Sequence, residues 1–545
     1  MPNKKLISFT IFTLTFIFYL FTLLPSLAWG DGVKLQSEAV AGESFVLAEM
    51  PPDEFTPDPY PFAKVGVAAW DHPLYIVAGH MLVRALPFVD PLWLINLISA
   101  IFGAASVTLL FLFIYRYTES MFASWYASLS LAVSHTFWWH SSTPEVYTLF
   151  VFLLLLSLYF FEKFESAGKQ KYLIFSAFVL GLAASTHILA FLAFPAIGLY
   201  YLFSRKYRDF HISQSKQLIL PALGFLFGFS LYLVQFVRMS SNFPLDKIMG
   251  PVVGSTFLTQ LDALSPLLLG QSLLSYLFFL MVQFGIQGII LGILGIRKIL
   301  NGKNIFSRKI NFSFLVFFLF GIFYRVTDQF TFFITSYVFW AILMGIGAGY
   351  ALSLFLPNRR LLLPVILSLL LAATPFFYTA LPQLAASNGL DDTVIGIPKI
   401  GVGVRDGLAY YVNPNKRGDA SAYDFGSRVL ENLEPNSVII AEWYTDTDEY
   451  FIFRYFTKIE KLRPDVTVVG WAMQDPFYFD SQLALDVVNE YFRERPVYLA
   501  SLSDRFYAAS KLIEIYCIIP ENNLYRLYPR KNGDSRCLGS DSVTE

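Results

Sequence analysis

The chain has 545 residues, of which 55% are hydrophobic and 15% are charged, and its formal net charge is −1. Soluble domains carry about 25% charged residues, so the composition excludes a soluble globular protein. The near-zero net charge gives no electrostatic basis for a nucleic-acid partner. The composition is that of a polytopic α-helical membrane protein.

Apolar runs recur along the first two-thirds of the chain, each close to the roughly 20 residues that cross a bilayer. They predict about eleven transmembrane helices, with residues 172–203 forming either a hairpin or a broken pair. The predicted spans lie near residues 6–28, 92–114, 121–139, 146–161, 172–187, 188–203, 217–237, 273–296, 312–324, 330–356 and 361–382.

The distribution of Lys and Arg between the loops predicts the orientation. With the N-terminus in the cytoplasm, the inner loops contain seventeen Lys and Arg residues, whereas the outer loops before residue 383 contain six. Cytoplasmic loops carry the excess of positive charge. We therefore expect a multi-pass protein of an inner or plasma membrane, with its N-terminus cytoplasmic and its C-terminal part extracytoplasmic.

The first apolar run, about 22 residues long, ends at "LAWGDG" (residues 27–32). Ala28-x-Gly30 is an acceptable signal-peptide cleavage site, but the apolar core of a signal peptide is only about 7–15 residues long. A retained helix is therefore predicted, with cleavage as the alternative. The retained helix places Asp31 at the outer membrane boundary.

The chain is predicted to divide into a transmembrane domain (residues 1–382) and a soluble extracytoplasmic domain (residues 383–545). In the first, residues 30–91 form a long, acidic outer loop whose end, "DHPLYIVAGHMLVRALPF", has the spacing of an interfacial helix. In the second, short β-rich runs alternate with helical stretches, which predicts an α/β sheet. Cys517 and Cys537 lie there and could form a disulfide or remain two separate thiols.

Polar residues collect at the predicted outer ends of the spans. Five of the six histidines lie there, and "TFWWHSSTPEVY" and "YRVTDQF" add Glu145, Arg325 and Asp328. The aromatic residues of the first segment, Trp138, Trp139 and Tyr147, are predicted to be membrane-interface anchors. Asp31 and Glu145 are instead predicted to belong to a functional site.

Carboxylates, imidazoles and arginines at that boundary suit transfer from a lipid-phosphate donor. Arg or protonated His binds a phosphate, and a carboxylate takes the proton from an acceptor hydroxyl. The spans have few ionisable residues at their middles, which counts against a proton-coupled transporter. Asp446-x-Asp448, after a predicted strand, could hold a metal and a nucleotide sugar, but a helix N-cap is the favoured interpretation.

Several segments, taken in order, resemble motifs of the GT-C superfamily of polyprenyl-phosphate-sugar glycosyltransferases. The resemblance is closer to the bacterial multi-pass family that includes the animal transmembrane O-mannosyltransferase of plexin-type receptors. The matching segments are "WGDG" (29–32), "DHPLY" (71–75), "LINLISAIFGA" (94–104), "FWWHSSTPEVYTL" (137–149), "STHILAFLAFPA" (185–196), residues 328–349 and residues 423–469.

The resemblance implies an inverting transfer to a hydroxyl of a protein or glycan acceptor. It implies Asp31 as the base, the donor phosphate near His72 or Arg325, and Glu145 and His187 lining the site. The other candidate donor- or acceptor-binding residues are Glu38, Asp71 and Asp328. The His-Pro-Pro-Gly-Tyr-Pro motif of the family is reduced here to "HPLYIV", and the Glu expected shortly after Gly-Asp is displaced, with Glu38 several residues later. The sugar and the acceptor therefore stay open.

The expected partners are membrane lipid, the polyprenyl-phosphate sugar and the acceptor. No cofactor is obligatory because the leaving group is a stable phosphate; a divalent metal is compatible with the reaction but is not indicated. Two alternatives stay open. A transporter or flippase would be expected to contain inverted repeats, and a non-catalytic scaffold would tolerate the combined loss of Asp31, Glu145 and His187.

Overall fold

Helices form the bundle that the apolar runs predict. The structure, a computed structural model, describes residues 4–42, 72–203, 217–240, 265–302, 305–326, 329–354, 361–390, 407–441, 449–470, 481–531 and 535–543. The helices before residue 391 are α1 (Lys4–Thr22), α2 (Asp31–Ala41), α3 (Pro73–Ala85), α4 (Pro91–Thr118), α5 (Met121–Ala132), α6 (His135–Ser142), α7 (Tyr147–Ala167), α8 (Gln170–Thr186), α9 (Ala193–Phe203), α10 (Ile219–Gly228), α11 (Ser230–Ser240), α12 (Pro266–Asn301), α13 (Ile305–Phe323), α14 (Gln329–Phe332), α15 (Ile334–Leu354) and α16 (Leu362–Ser387).

Six of the described helices are long and apolar enough to cross a membrane. They are α1, α4, α7, α12, α15 and α16. The chain is therefore an integral, multi-pass membrane protein. The total of eleven spans and the orientation stay predictions.

Local sequence signals account for the N-terminal ends of α4 and α5. The Trp93 N–H donates to Asp90 Oδ1 at 2.8 Å, which caps the N-terminus of α4, and Pro91 occupies its first turn. Ser120 caps α5 in the same way, accepting a hydrogen bond from the Ala123 N–H. Since α4 ends at Thr118 and Ser120 starts α5, the connection between these two helices is short.

The prediction of a single span at residues 121–139 is wrong, because the chain breaks between α5 and α6. Ser134 is extended, and its hydroxyl donates to the Leu131 carbonyl at 2.8 Å, which competes with continuation of the helix. Side chains from distant parts of the chain accept hydrogen bonds from the first N–H groups of α6. The Thr136 N–H donates to Gln283 Oε1 at 2.9 Å, and the His135 N–H donates to the Tyr378 hydroxyl oxygen at 3.1 Å. Hydropathy alone cannot detect such a break.

The prediction that Trp138, Trp139 and Tyr147 anchor the protein in the membrane interface is also wrong. All three side chains are buried within the protein. Trp138 Nε1 donates to Thr22 Oγ1 at 2.9 Å, which ties α6 to the end of α1. These aromatic residues are therefore part of the packing around the candidate site.

The C-terminal region (the described residues from 407 onward) contains one five-stranded sheet. Its strands are β1 (Val438–Ile440), β2 (Thr467–Val469), β3 (Val497–Leu499), β4 (Tyr516–Glu521) and β5 (Leu524–Pro529), and their order in the sheet is β2-β1-β3-β5-β4. Strands β1, β2 and β3 are parallel, and β5 runs antiparallel to both β3 and β4. The helices of this region are α17 (Gly407–Val412), α18 (Ser421–Glu431), α19 (Glu449–Arg454), α20 (Ser481–Phe492), α21 (Asp504–Tyr507) and α22 (Ala509–Ile515).

The sequence accounts for the parallel strands of this sheet and for the turn between β4 and β5. The three parallel strands are short apolar runs, as expected for strands buried on both faces. Asn522 and Asn523 both have positive φ, which suits the tight turn between β4 and β5. Cys517 and Cys537 form a disulfide, so the bridged alternative is confirmed.

One apolar cluster joins the helical bundle to the C-terminal region. Leu27, Trp29 and Val33, from the start of the first loop, pack with residues such as Phe425 and Phe453 of the C-terminal region. Helix α2 also packs against α19. The segment around Asp31 is therefore enclosed between the bundle and the C-terminal region.

Candidate active site

Two buried amide side chains hold the segment between α1 and α2. Asn96 Nδ2 donates to the Leu24 carbonyl at 2.9 Å and to the Ser26 carbonyl at 3.1 Å. Gln36 Oε1 accepts from the Ala28 N–H at 2.9 Å, and Gln36 Nε2 donates to Asn96 Oδ1 at 2.8 Å. Because buried backbone groups are costly when they lack partners, these bonds give the segment one defined path to Asp31.

Asp31 is the first residue of α2, and it is exposed. Gly30, directly before it, has φ 64° and ψ −147°, a conformation that essentially only glycine adopts. Gly32, directly after it, lies so close to the bundle that an added Cβ would stand 3.0 Å from Pro144 Cγ. The two glycines therefore bring Asp31 beside the chain that leads into Glu145.

Glu145 lies at the same end of the bundle, with a side chain that is only 13% exposed. Its backbone N–H donates to Ser99 Oγ, and the Ser99 hydroxyl donates back to the Glu145 carbonyl, both at 3.1 Å. Glu145 Oε2 is 3.9 Å from His140 Nδ1. Burial lowers the pKa of His140, which lies in the short helix α6, to about 3, so the ring is neutral at neutral pH and this contact is not an ion pair.

His72 and His187 form a stacked pair, with ring centroids 5.2 Å apart. His72 Nδ1 donates to the Thr186 carbonyl at 2.8 Å, and His187 Nδ1 accepts from the Leu189 N–H at 3.1 Å. In the neutral rings, this geometry places the proton on Nδ1 of His72 and on Nε2 of His187.

Tyr147 connects this pair to Glu145. Its ring centroid is 5.2 Å from that of His187 and 4.8 Å from that of His140. The rings of His72, His187, Tyr147 and His140 thus form a continuous row that ends at the Glu145 carboxylate. Three separate segments contribute to it, because only His140, Tyr147 and Glu145 are close together in the sequence, so the sequence does not show that His72 and His187 complete the row.

The other residues predicted for the site lie outside this row of rings or outside the described residues. Arg325 is exposed in the segment before α14, and the ring of its neighbour Tyr324 contacts Phe332, which is 6.4 Å from His187. Glu38 is buried on the same face of α2 as Asp31, two turns or roughly 10 Å along the helix. Asp71 and Asp328 lie outside the described residues, as do Asp446 and Asp448.

Lys416 is a buried cation near this site that sequence reasoning does not find. Its N–H donates to the Thr22 carbonyl at 3.0 Å, and its ammonium group donates to the Tyr410 carbonyl. The ammonium nitrogen is 5.4 Å from the centroid of the Trp139 ring. In the sequence, Lys416 stands in a polar loop, "NPNKRGD", which is typical of a solvated segment.

Among the residues that the structure describes, no group of three or more His, Cys, Asp or Glu side chains could hold a metal ion. The site consists of an exposed carboxylate on a fixed turn, a second carboxylate that is largely buried, and a row of aromatic and imidazole rings. Such an arrangement can accept a proton and can donate hydrogen bonds to an anion.

Residues 71–210 match the sequence model of the family described as "Protein O-mannosyl-transferase TMEM260 N-terminal domain". That match includes His72, Glu145 and His187 and ends well before the C-terminal region. Comparison with curated proteins gives no match.

Solved structures match over nearly the whole chain. ArnT from Cupriavidus metallidurans bound to undecaprenyl phosphate has a TM-score of 0.57 and 12% identity, covering 96% of this chain and 97% of that chain. The archaeal oligosaccharyltransferase AglB from Archaeoglobus fulgidus, in complex with an inhibitory peptide and a dolichol-phosphate, has a TM-score of 0.54 and 11% identity, covering 97% and 75%. The resemblance predicted from the motifs is thus confirmed, and the chain has the fold of the GT-C glycosyltransferases.

Proposed function

We propose that the protein is a membrane glycosyltransferase that moves a sugar from a polyprenyl-phosphate donor to a hydroxyl of a protein or glycan acceptor. The observation that carries the proposal is the position of Asp31, exposed on a fixed turn that packs against Pro144, next to Glu145. An exposed carboxylate at this position is open to an acceptor hydroxyl and can take its proton.

The neighbouring structures support the class of donor. ArnT is bound to undecaprenyl phosphate, and AglB is in complex with a dolichol-phosphate and a peptide. Both lipids combine a long apolar chain with a phosphate. In this chain, apolar spans adjoin the imidazole rings of His72 and His187, which fits an amphiphile of that kind.

The proposed reaction is a direct displacement. The acceptor oxygen attacks the anomeric carbon of the sugar while Asp31 accepts the hydroxyl proton, and the bond between that carbon and the phosphate oxygen breaks with its electron pair on the phosphate. Polyprenyl phosphate leaves. His187 Nε2–H and Arg325 are proposed to hydrogen-bond the phosphate oxygens, and Glu145 to bind sugar hydroxyls.

The finer assignments belong to the same proposal. Residues 383–545 are proposed to be extracytoplasmic, the N-terminus cytoplasmic, and the total number of spans about eleven, as the loop charges and apolar runs predict. Glu38, Asp71 and Asp328 are proposed to contribute to donor or acceptor binding.

Asp31→Asn is the direct test. The purified protein in lipid nanodiscs is incubated with labelled polyprenyl-phosphate sugars and candidate acceptors, and release of polyprenyl phosphate is measured. Because a general base contributes about 10²–10⁴-fold to a rate, Asp31→Asn should reduce turnover of the active donor at least about 100-fold.

Asp90→Asn is the matched control, since Asp90 is an exposed carboxylate that caps α4 and Asn is an equally good cap. It should turn over like the wild type. Wild-type turnover by Asp31→Asn would refute the role of Asp31. Movement of the lipid across the bilayer without release of polyprenyl phosphate would identify the transporter or flippase that the sequence leaves open.

A further inference from the structure

Trp29, two residues before Asp31, is hydrogen-bonded to the C-terminal region. Its Nε1–H donates to Ser421 Oγ at 2.9 Å, across 392 positions of sequence. The indole ring is buried, and its centroid is 5.4 Å from that of Phe425 on α18. The bond therefore joins the turn that carries Asp31 to the first residue of α18.

Asp419 fixes the direction of this hydrogen bond. The Ser421 hydroxyl donates to Asp419 Oδ1 at 2.6 Å, and the Ser421 N–H donates to the same oxygen at 3.2 Å. A hydroxyl has one proton and two lone pairs, so donation to Asp419 leaves a lone pair for the Trp29 N–H. A carboxylate at the end of such a chain strengthens both of its bonds.

The turn that carries Asp31 is thus held by both the helical bundle and the C-terminal region. Gln36 and Asn96 hold the segment before it from within the bundle, whereas Trp29 and Val33, on either side of Asp31, are buried in the cluster shared with the C-terminal region. The Asp31 side chain is exposed between these buried neighbours. Its position therefore depends on both parts.

We propose that the C-terminal region positions the Asp31 carboxylate through the Trp29–Ser421–Asp419 chain, so that this region belongs to the catalytic unit. Trp29, Ser421 and Asp419 are positioning residues that act through Asp31. The inference rests on the proposed function, in which Asp31 is the base.

The test removes the hydrogen bond between Trp29 and Ser421 by changing each partner in turn. Trp29→Phe deletes the N–H but keeps an aromatic ring, and Ser421→Ala deletes the acceptor. A displacement of about 1 Å at a reacting group can cost about 100-fold in rate, so each variant should lower kcat about 10-fold or more. The KM for the donor should change by less than about twofold, since the Trp29–Ser421–Asp419 hydrogen bonds act on the base.

Three further variants separate positioning from general damage. The double variant Trp29→Phe/Ser421→Ala should be no slower than the slower single variant, because both remove the same bond. Ser421→Thr keeps the hydroxyl and should restore kcat. Tyr516→Phe, which removes a hydrogen bond to Asn489 on the other face of the sheet, should leave kcat unchanged.

The Asp31→Asn background gives the readout that a purely structural role would not produce. There, adding Ser421→Ala should cause no further loss of the residual turnover. A further loss, or a raised KM at constant kcat, would overturn the inference. If Asp31→Asn is inactive while Trp29→Phe and Ser421→Ala turn over like the wild type, the positioning role fails and the proposed function stands. Wild-type turnover by Asp31→Asn would refute the role of Asp31 on which the inference rests, and no release of polyprenyl phosphate by the wild type would refute the proposed function itself.

Discussion

Gly30 is the residue whose backbone decides where α2, and with it Asp31, begins. A Cβ at φ 64° and ψ −147° costs about 1–3 kcal/mol, and relief of that strain would move the turn. Gly30→Ala should therefore lower both the melting temperature and the rate of sugar transfer. Gly168→Ala is the control, because Gly168 also has positive φ, at the end of α7, but an added Cβ meets nothing within 4 Å. It should lose stability and keep full turnover; equal turnover in the two variants would contradict the role of Gly30.

For single residues, the sequence indicates which residues belong to the site better than it indicates what they contact. Polar residues at helix ends are visible in a sequence, so Asp31, Glu145, His72 and His187 could all be selected in advance. The stacking of His72 on His187 could not, since it joins residues far apart in the chain. A Trp at a helix end looks the same in the sequence whether its side chain faces lipid or protein. The prediction that Trp138 is an interface anchor fails for this reason.

Helix packing is best predicted where it depends on small residues. The motif Gly345-x-x-x-Gly349 predicts close packing, and a Cβ at Gly345 would stand 2.4 Å from Ile114 Cγ2 of α4. The break between α5 and α6 is harder to predict, because Gln283 and Tyr378, from α12 and α16, stabilise it. The apolar pattern is the same with or without these distant partners.

A buried ionic cluster holds four helices together at the other end of α7. Lys309 Nζ of α13 lies 2.5 Å from Glu165 Oε2 and 3.3 Å from Glu162 Oε1 of α7. The Tyr200 hydroxyl of α9 donates to Glu165 Oε1 at 2.8 Å, and Arg116 Nη1 of α4 is 3.2 Å from Glu162 Oε2. Lys309 is only 4% exposed, whereas Arg116 is 44% exposed.

Removing the buried cation should destabilise the bundle far more than removing the exposed one. Lys309→Met leaves buried carboxylates without their main partner, which costs about 3–5 kcal/mol. Arg116→Gln breaks a pair with one exposed member, which costs about 1 kcal/mol or less. Thermal unfolding in detergent should therefore show a much larger fall in melting temperature for Lys309→Met. Equal falls for the two variants would contradict the prediction that the burial of Lys309 makes its loss more costly.

In the whole molecule, the helical bundle and the C-terminal sheet are each easier to predict from the sequence than the contact between them. The apolar runs indicate the membrane bundle, and the alternation of strands and helices indicates the C-terminal sheet, because both follow from local pattern. The shared cluster of Leu27, Trp29 and Val33 with Phe425 does not, because these residues look like the end of a span and the start of a loop. Only the folded chain brings them together.

Acid should destabilise the C-terminal region through Glu434. Arg526 Nε donates to Glu434 Oε1 at 2.7 Å and holds the pKa of this carboxyl below its usual value of 4.5, with a further hydrogen bond from the Tyr498 hydroxyl. A carboxyl whose pKa is lowered by folding stabilises the folded state above its unfolded pKa. That stability is lost as the pH falls from about 4.5 through the lower pKa of the folded protein.

The size of the effect should be modest, because the Glu434 side chain is 48% exposed and such pairs contribute about 1 kcal/mol or less. Thermal unfolding between pH 7 and pH 3 should show that Glu434→Gln lowers the melting temperature at neutral pH and makes it less sensitive to acid. The exposed Glu431 supplies the control, since Glu431→Gln should leave the pH dependence as in the wild type. If Glu434→Gln lost as much stability in acid as the wild type does, the acid sensitivity would have to originate elsewhere in the molecule.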